Sequence, residues 1–118
     1  MVAVKRIVAD LAAEDVAAVR QFYQDLFGLD VAMDFGWIAT LTTGGSAPVQ
    51  LSIASEGGSG TVVPTLSIEV DDVDEAHARV VEMGCEFPYP LTDEPWGVRR
   101  FFVKDPAGNT LNVLMHTG

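Results

Sequence analysis

Two stretches of this chain carry the same helix signal, each set among strand-like runs in the same order, and a chain that repeats itself in this way has few folds open to it. Val16, Val19, Arg20, Tyr23, Leu26 and Phe27 recur at helical spacing within residues 14–27, and Gly28 follows as a C-terminal stop. Val73, Ala76, His77, Val80 and Met83 repeat that spacing, and Gly84 ends the second helix. Each helix opens on an acid before valine, Asp15-Val16 and Asp72-Val73. A carboxylate there caps free N–H groups and suits the helix dipole. A strand-like run precedes each helix, at residues 4–11 and 65–70. Three more follow each: 31–35, 37–42 and 48–54 in the first half, then 86–89, 98–103 and 110–116 in the second. The chain therefore reads as βαβββ twice, an α+β fold with module one over residues 1–56 and module two over residues 63–118. Residues 57–62 join them, and Gly57-Gly58-Ser59-Gly60 reads as a flexible linker. Neither module can cover both faces of its sheet alone, so the two are expected to share one core as a single domain.

The final hairpin is the sharpest local signal. Asp105-Pro106 and Gly108-Asn109 are turn chemistry, because Pro presets φ while Gly and Asn tolerate positive φ. After the turn, Leu111, Val113 and Met115 alternate with Thr110, Asn112, Leu114 and His116. The same alternation sorts the other strands. Ile7, Ala9 and Leu11 are expected to pack inward, as are Val49, Leu51 and Ile53, and Leu66, Ile68 and Val70. Placing Asn112 on Gln50 puts Val103 on Leu41 and Phe102 on Thr40, which makes Trp37 and Phe101 core residues.

Composition excludes several partners. Seventeen acids against seven bases give a formal net charge of -10, which repels phosphate backbones and anionic membrane surfaces and leaves nucleic acid and membrane as unexpected partners. The charge draws cationic ligands weakly and otherwise serves solubility. No apolar run approaches the ~20 residues of a membrane span, and the N-terminus lacks the layout of a signal peptide. One cysteine, Cys85, permits no intramolecular disulfide, in keeping with a cytoplasmic location, and it reads as a small hydrophobe after a helix. The glycines of the linker lack the lysine of a phosphate loop.

Three motifs, in order and at matching separations, resemble the vicinal-oxygen-chelate superfamily of glyoxalases, bleomycin-resistance proteins and extradiol dioxygenases. Asp15-Val16 through Phe22-Tyr23 is similar to the family's first helix. Val70-Asp71-Asp72-Val73-Asp74-Glu75-Ala76 resembles its second helix entry, and Asp105-Pro106-Ala107-Gly108-Asn109 its closing turn. The resemblance covers essentially the whole chain. It implies two tandem modules whose sheets curl into a cup, with helices on the outer face and ligand on the inner one. By strand parity the cup is expected to be lined by Val8, Ile38, Thr40, Gln50, Thr65, Arg100, Phe102, Asn112 and Leu114, with Trp96 at its rim able to stack on a flat ligand.

The family's metal enzymes hold a divalent ion with four side chains, typically His, Glu or Gln, His and Glu. The matching positions here read Val8, Gln50, Thr65 and Asn112. Val8 has no donor atom, and two neutral amides with one hydroxyl make a weak set for a hard or borderline cation. No metal and no cofactor are therefore expected. A displaced site from Asp10, Glu69 and His116, which share the cup face by parity, is a lesser alternative. Asp10 or Glu69 buried beside Val8 and Phe102 could act as a base; the plainer expectation is that Glu69 pairs with Arg100 or sits solvated at the rim. His116 reads as a frayed C-terminal residue and His77 as a core-edge histidine. The resemblance thus points to metal-free binding of a small organic molecule, of the resistance or sequestration type. The alternative is a metal-dependent glyoxalase-like lyase, isomerase or dioxygenase with an atypical site. No catalytic residue is assigned. A homodimer is implied by family members of this length.

Overall fold

A computed structural model describes residues 2–44 and 49–118; Pro48, which opens the third strand-like run of the first half, lies outside the described residues. In chain order the elements are β1 (Val4–Ala12), α1 (Val16–Phe27), β2 (Asp30–Asp34), β3 (Ile38–Thr42), β4 (Gln50–Ala54), β5 (Leu66–Val70), α2 (Val73–Glu82), β6 (Tyr89–Glu94), β7 (Val98–Lys104) and β8 (Thr110–His116). This is the expected α+β order, βαβββ twice. The chain gathers into two compact units, Val8–Val63, and Met1–Ile7 with Pro64–Gly118. The start of β1 therefore belongs with the second half of the sequence.

In the first of these, β2, β3 and β4 form an antiparallel meander and β1 runs parallel to β4, Ala9 against Leu51 through Ala12 against Ala54. Asp15 caps α1 by accepting from Ala18 N–H at 3.0 Å. Gly28 ends it at φ 66°, a left-handed turn where a Cβ is strained. Val16, Val19 and Tyr23 pack on Ala39, Leu41 and Ile53. The helix thus lies over β3 and β4. Ile7, Ala9 and Leu11, expected to pack inward, are all exposed, Ile7 and Leu11 by 57% and 36%. Leu26, Phe27 and Val49 are also exposed; the helix turns its last apolar residues past the sheet, and β4 begins only after Val49. Trp37 is half-buried in the turn before β3, outside this apolar cluster.

The linker is not an open tether. Gly57 N–H donates to Thr61 O at 2.8 Å and Thr61 N–H to Gly58 O at 3.0 Å, while Gly60 N–H reaches Glu56 Oε1 at 3.0 Å. Gly57 and Gly58 are buried, and a Cβ on Gly57 would overlap Val62 O and Thr61 Oγ1. The glycines serve close backbone approach in a folded turn, a use that composition does not distinguish from flexibility.

In the other unit the strand order is β5-β8-β7-β6, with β5 parallel to β8 and the rest antiparallel. Asp72 caps α2 through Glu75 N–H at 3.0 Å. Val73, Ala76 and Val80 pack on Phe101, Val103, Leu111, Val113 and Met115, as alternation predicts. Met83 ends this stripe exposed. His77 sits edge-on to Phe87 and Phe101, 5.2 and 5.0 Å between ring centroids, a core-edge histidine as read. The Asp105 carboxylate closes the last turn: Oδ1 accepts from Ala107 and Asn109 N–H, and Oδ2 from Asn109 Nδ2, all at 2.9 Å. One strand is displaced from its expected place. The sequence puts it at residues 86–89, but β6 runs Tyr89–Glu94. Pro90 and a register shift between Tyr89 and Thr92 break the alternation, which an edge strand tolerates.

Candidate functional site

The sheet face opposite α1 carries neutral hydroxyls. Thr40 and Ser52 stand directly across from each other on β3 and β4, and their hydroxyls meet at 2.8 Å, both buried. Val8 on β1 is buried, while Ile38 and Gln50 are half-buried. The hairpin register corrects the superposition of the two modules. Thr40 pairs with Ser52 across the first hairpin, and Phe102 with Asn112 across the second. With Phe102 on Thr40, Asn112 therefore falls on Ser52. The β3–β4 connection is two residues longer than the β7–β8 one, a difference that leaves parity intact and was invisible to it.

The sheet face opposite α2 carries charge and aromatic rings. Arg100 on β7 donates from Nε to Glu94 Oε2 at 2.6 Å, and both side chains are 3% exposed. The guanidinium lies 4.9–5.1 Å from the ring centroids of Tyr89, Trp96 and Phe102. Tyr89 Oη also donates to Glu94, at 3.1 Å. A buried ion pair needs such a surround, because desolvation costs several kcal/mol per ion unless charge and hydrogen bonding are met. Arg100 thus pairs with Glu94 and not with Glu69 as expected, and Trp96 stacks on the protein's own cation. Tyr89 and Glu94 are absent from the expected lining because the sequence ends that strand at residue 89, whereas β6 carries both. The one available signal was that a buried Arg100 demands an acid nearby.

Beside this cluster, Asn112 on β8 donates from Nδ2 to Ser67 Oγ at 3.1 Å, across from it on β5. Its Oδ1 is buried and has no hydrogen-bond partner among the described residues. Such an orphaned acceptor is uncommon and costs about 1–3 kcal/mol if nothing reaches it. Leu114 is buried next along the strand, and Thr65 is exposed. Of the ten expected lining residues, the structure therefore brings Trp96, Arg100 and Phe102 into one cluster, with Asn112 paired to Phe102 and Leu114 to Arg100 across the β7–β8 ladder.

At the end of the same face, Glu69 joins two partners. Arg6 Nε donates to Oε1 at 2.8 Å, and His116 Nδ1 lies 2.9 Å from Oε2. Burial pushes the Glu69 carboxyl up, but the His116 bond and the Arg6 charge outweigh it and hold it below its ordinary value. His116 is not frayed: it pairs with Val98 in the ladder, and Thr117 N–H donates to Gly97 O at 2.9 Å beyond it. Away from all of these, an open groove of about 440 Å³ lies between Met83, Cys85 and Glu86 and the turn at Lys104 and Pro106, and no expected ligand residue lines it.

Over residues 4–113 the chain matches the family model described as Glyoxalase/Bleomycin resistance protein/Dioxygenase superfamily. The chain belongs to this superfamily. Solved structures agree on the fold. A Legionella pneumophila protein described as an NAD-dependent benzaldehyde dehydrogenase aligns with TM-score 0.77 at 18% identity, covering 94% of this chain and 99% of its own. A glyoxalase/bleomycin resistance protein/dioxygenase superfamily member from Vibrio splendidus 12B01 gives 0.66 at 19%, covering 97% and 99%. Methylmalonyl-CoA epimerase from Mycobacterium tuberculosis gives 0.58 at 17%, covering 98% and 88%. No curated protein sequence matches significantly.

Metal enzymes of the superfamily typically hold their ion with His, Glu or Gln, His and Glu, and the residues of this member do not fit that set. Val8 is apolar, Thr65 and Asn112 are neutral, and the fourth-strand position is neutral whether read as Gln50 or, by the corrected register, as Ser52. Ser52 Oγ is already committed to Thr40. Among the described residues no group of three or more His, Cys, Asp or Glu side chains is arranged to hold an ion, which counts against Asp10, Glu69 and His116 as a displaced site. No helix among the described residues is long and apolar enough to cross a membrane.

Proposed function

We propose that this superfamily member binds a small organic molecule on its inner sheet face, independently of a metal, in the manner of resistance or sequestration proteins. The observation that carries the reading is the neutral donor set at the positions where metal enzymes of the superfamily hold their ion. The orphaned Asn112 Oδ1 adds to it, since a ligand N–H or O–H directed there would satisfy a buried acceptor. The Arg100–Glu94 pair neutralises itself, so that face favours flat ligands that are neutral or, given the net charge of -10, cationic. The working form proposed is a cytoplasmic homodimer, with exposed Phe22, Leu26 and Phe27 of α1 supplying apolar surface for a second copy.

Elemental analysis of untagged protein purified without chelator tests the first half of this reading, and a thermal-shift screen of aromatic and cationic metabolites tests the second. The expected result is substoichiometric metal and a ligand that raises Tm, with the rise lost in Asn112→Leu. One transition metal per chain, or turnover of a glutathione hemithioacetal above the metal blank with added Zn²⁺, Ni²⁺ or Fe²⁺, overturns it in favour of a metal-dependent enzyme.

A further inference from the structure

We propose that His116 and Glu69 form a general-base site, in which His116 Nε2 takes a proton from a small organic substrate and Glu69 positions the ring. The inference rests on the binding reading only for its substrate. It adds to it a proton-transfer step, on an activated C–H or an acidic hydroxyl.

The geometry carries this in three steps. Glu69 is ionised at neutral pH, since its partners hold the carboxyl below its ordinary value. A carboxylate accepts and does not donate, so His116 Nδ1, 2.9 Å from Oε2, must carry the hydrogen. In the unprotonated ring this leaves the lone pair on Nε2, the tautomer a base requires. Nδ1 makes the only hydrogen bond of the ring among the described residues, and the side chain is 50% exposed, so Nε2 is open to a ligand. Arg6, bonded to the other oxygen at 2.8 Å, keeps the carboxylate from competing for the proton. Glu69 itself is only 12% exposed and is pinned between the two, so the ring is held from behind.

The surroundings suit the role. The β8 backbone on either side of His116 is locked by the Val98 pairing and the Thr117 to Gly97 bond. Val98 and Leu114, both buried, put apolar surface beside the ring. The other ionic groups at this end are engaged: Asp71 Oδ1 accepts from Ala3 N–H at 2.9 Å, and Glu94 is bonded to Arg100. In the step itself the substrate proton moves to Nε2 and the ring becomes imidazolium. The electron pair of the broken bond stays on the substrate, and the proton is returned to product or solvent.

Two measurements on the full chain test this. Long-range ¹H–¹⁵N spectra of labelled protein report the tautomer without any ligand. The expected pattern is Nδ1–H with Nε2 unprotonated, becoming mixed in Glu69→Gln, whose amide can donate as well as accept. The second uses 5-nitrobenzisoxazole, whose C3 proton goes to the base as the ring N–O bond breaks, giving a nitrile and a phenolate in one product molecule. The wild type is expected to exceed His116→Gln by at least about tenfold, with imidazole restoring rate to His116→Ala. An Nε2–H tautomer in the wild type, or equal probe rates in wild type and His116→Gln, overturns the assignment. Neither outcome depends on the ligand screen, so failure of the binding reading stays distinguishable.

Discussion

The two modules follow one plan and fill it with opposite chemistry. On the first, the sheet face opposite α1 holds a Thr40–Ser52 hydroxyl pair, with Val8 and Ile38 on the neighbouring positions. On the second, the corresponding strands hold a buried Arg100–Glu94 ion pair ringed by three aromatics, with Glu69, Arg6 and His116 further along. By the corrected register Arg100 stands where Ile38 stands, and Asn112 where Ser52 stands. A repeated fold therefore fixes positions and leaves chemistry free. It also concentrates the electrostatic stakes in one half, because a neutral hydroxyl pair is inexpensive to bury and an ion pair is not.

The largest test of that contrast is Arg100→Met. It strands Glu94 as a buried, unpaired acid and is expected to cost about 3–5 kcal/mol in urea unfolding, while the matching change Ile38→Val costs about 0.5–1.5 kcal/mol. Arg100→Met with Glu94→Leu should recover most of the loss. A single-variant cost below about 1 kcal/mol would break the comparison by showing the pair to be solvated. Within the first module, Ser52→Ala leaves the buried Thr40 hydroxyl unsatisfied, for about 1–3 kcal/mol, and Thr40→Val with Ser52→Ala should be nearly neutral. Gly57→Ala should cost a similar amount, about 1–3 kcal/mol, by overpacking the turn against Val62 O; an unchanged Tm would restore the open-linker reading.

The smallest expected effect concerns pH. Glu69 and Asp105 both have carboxyls below their ordinary values. For Asp105 the leading cause is the Asn109 side-chain bond, followed by backbone N–H groups. A carboxyl lowered in the folded state adds stability above its unfolded value, and that contribution is lost as pH falls through the folded one. Tm should therefore drop in acid. Glu69→Gln should flatten part of the drop, and Asp105→Asn another part. Identical acid profiles in wild type and both variants would locate the acid sensitivity elsewhere.

How much was legible depended on the range of the interaction. β8 was read at its observed bounds, and its Leu111, Val113 and Met115 face was placed on α2, because a turn of Asp105-Pro106 and Gly108-Asn109 pins the register of a strand with clean alternation. β6 was misplaced because Pro90 and a bulge remove the alternation that would mark it. Ile7 and Leu11 were assigned inward on parity alone, and parity states which residues share a face, not whether a helix covers it. At the candidate site the faces of Asn112, Arg100 and Phe102 were legible. The commitment of Arg100 to Glu94, and of Glu69 to Arg6 and His116, was not.

The sequence by itself determined the element order, both helix caps and the closing turn. Each of these depends on residues a few places apart or on the identity of a single side chain. Only the tertiary structure decided which acid meets which base, that Gly57 and Gly58 are buried in a folded turn, and that His116 is backed by a carboxylate. Those outcomes join strands 63 and 47 residues apart, Arg6 to Glu69 and Glu69 to His116, or turn on where a backbone oxygen comes to lie. Charge attraction is long-ranged and indifferent to sequence separation, so the partner is chosen by which strands the fold brings side by side.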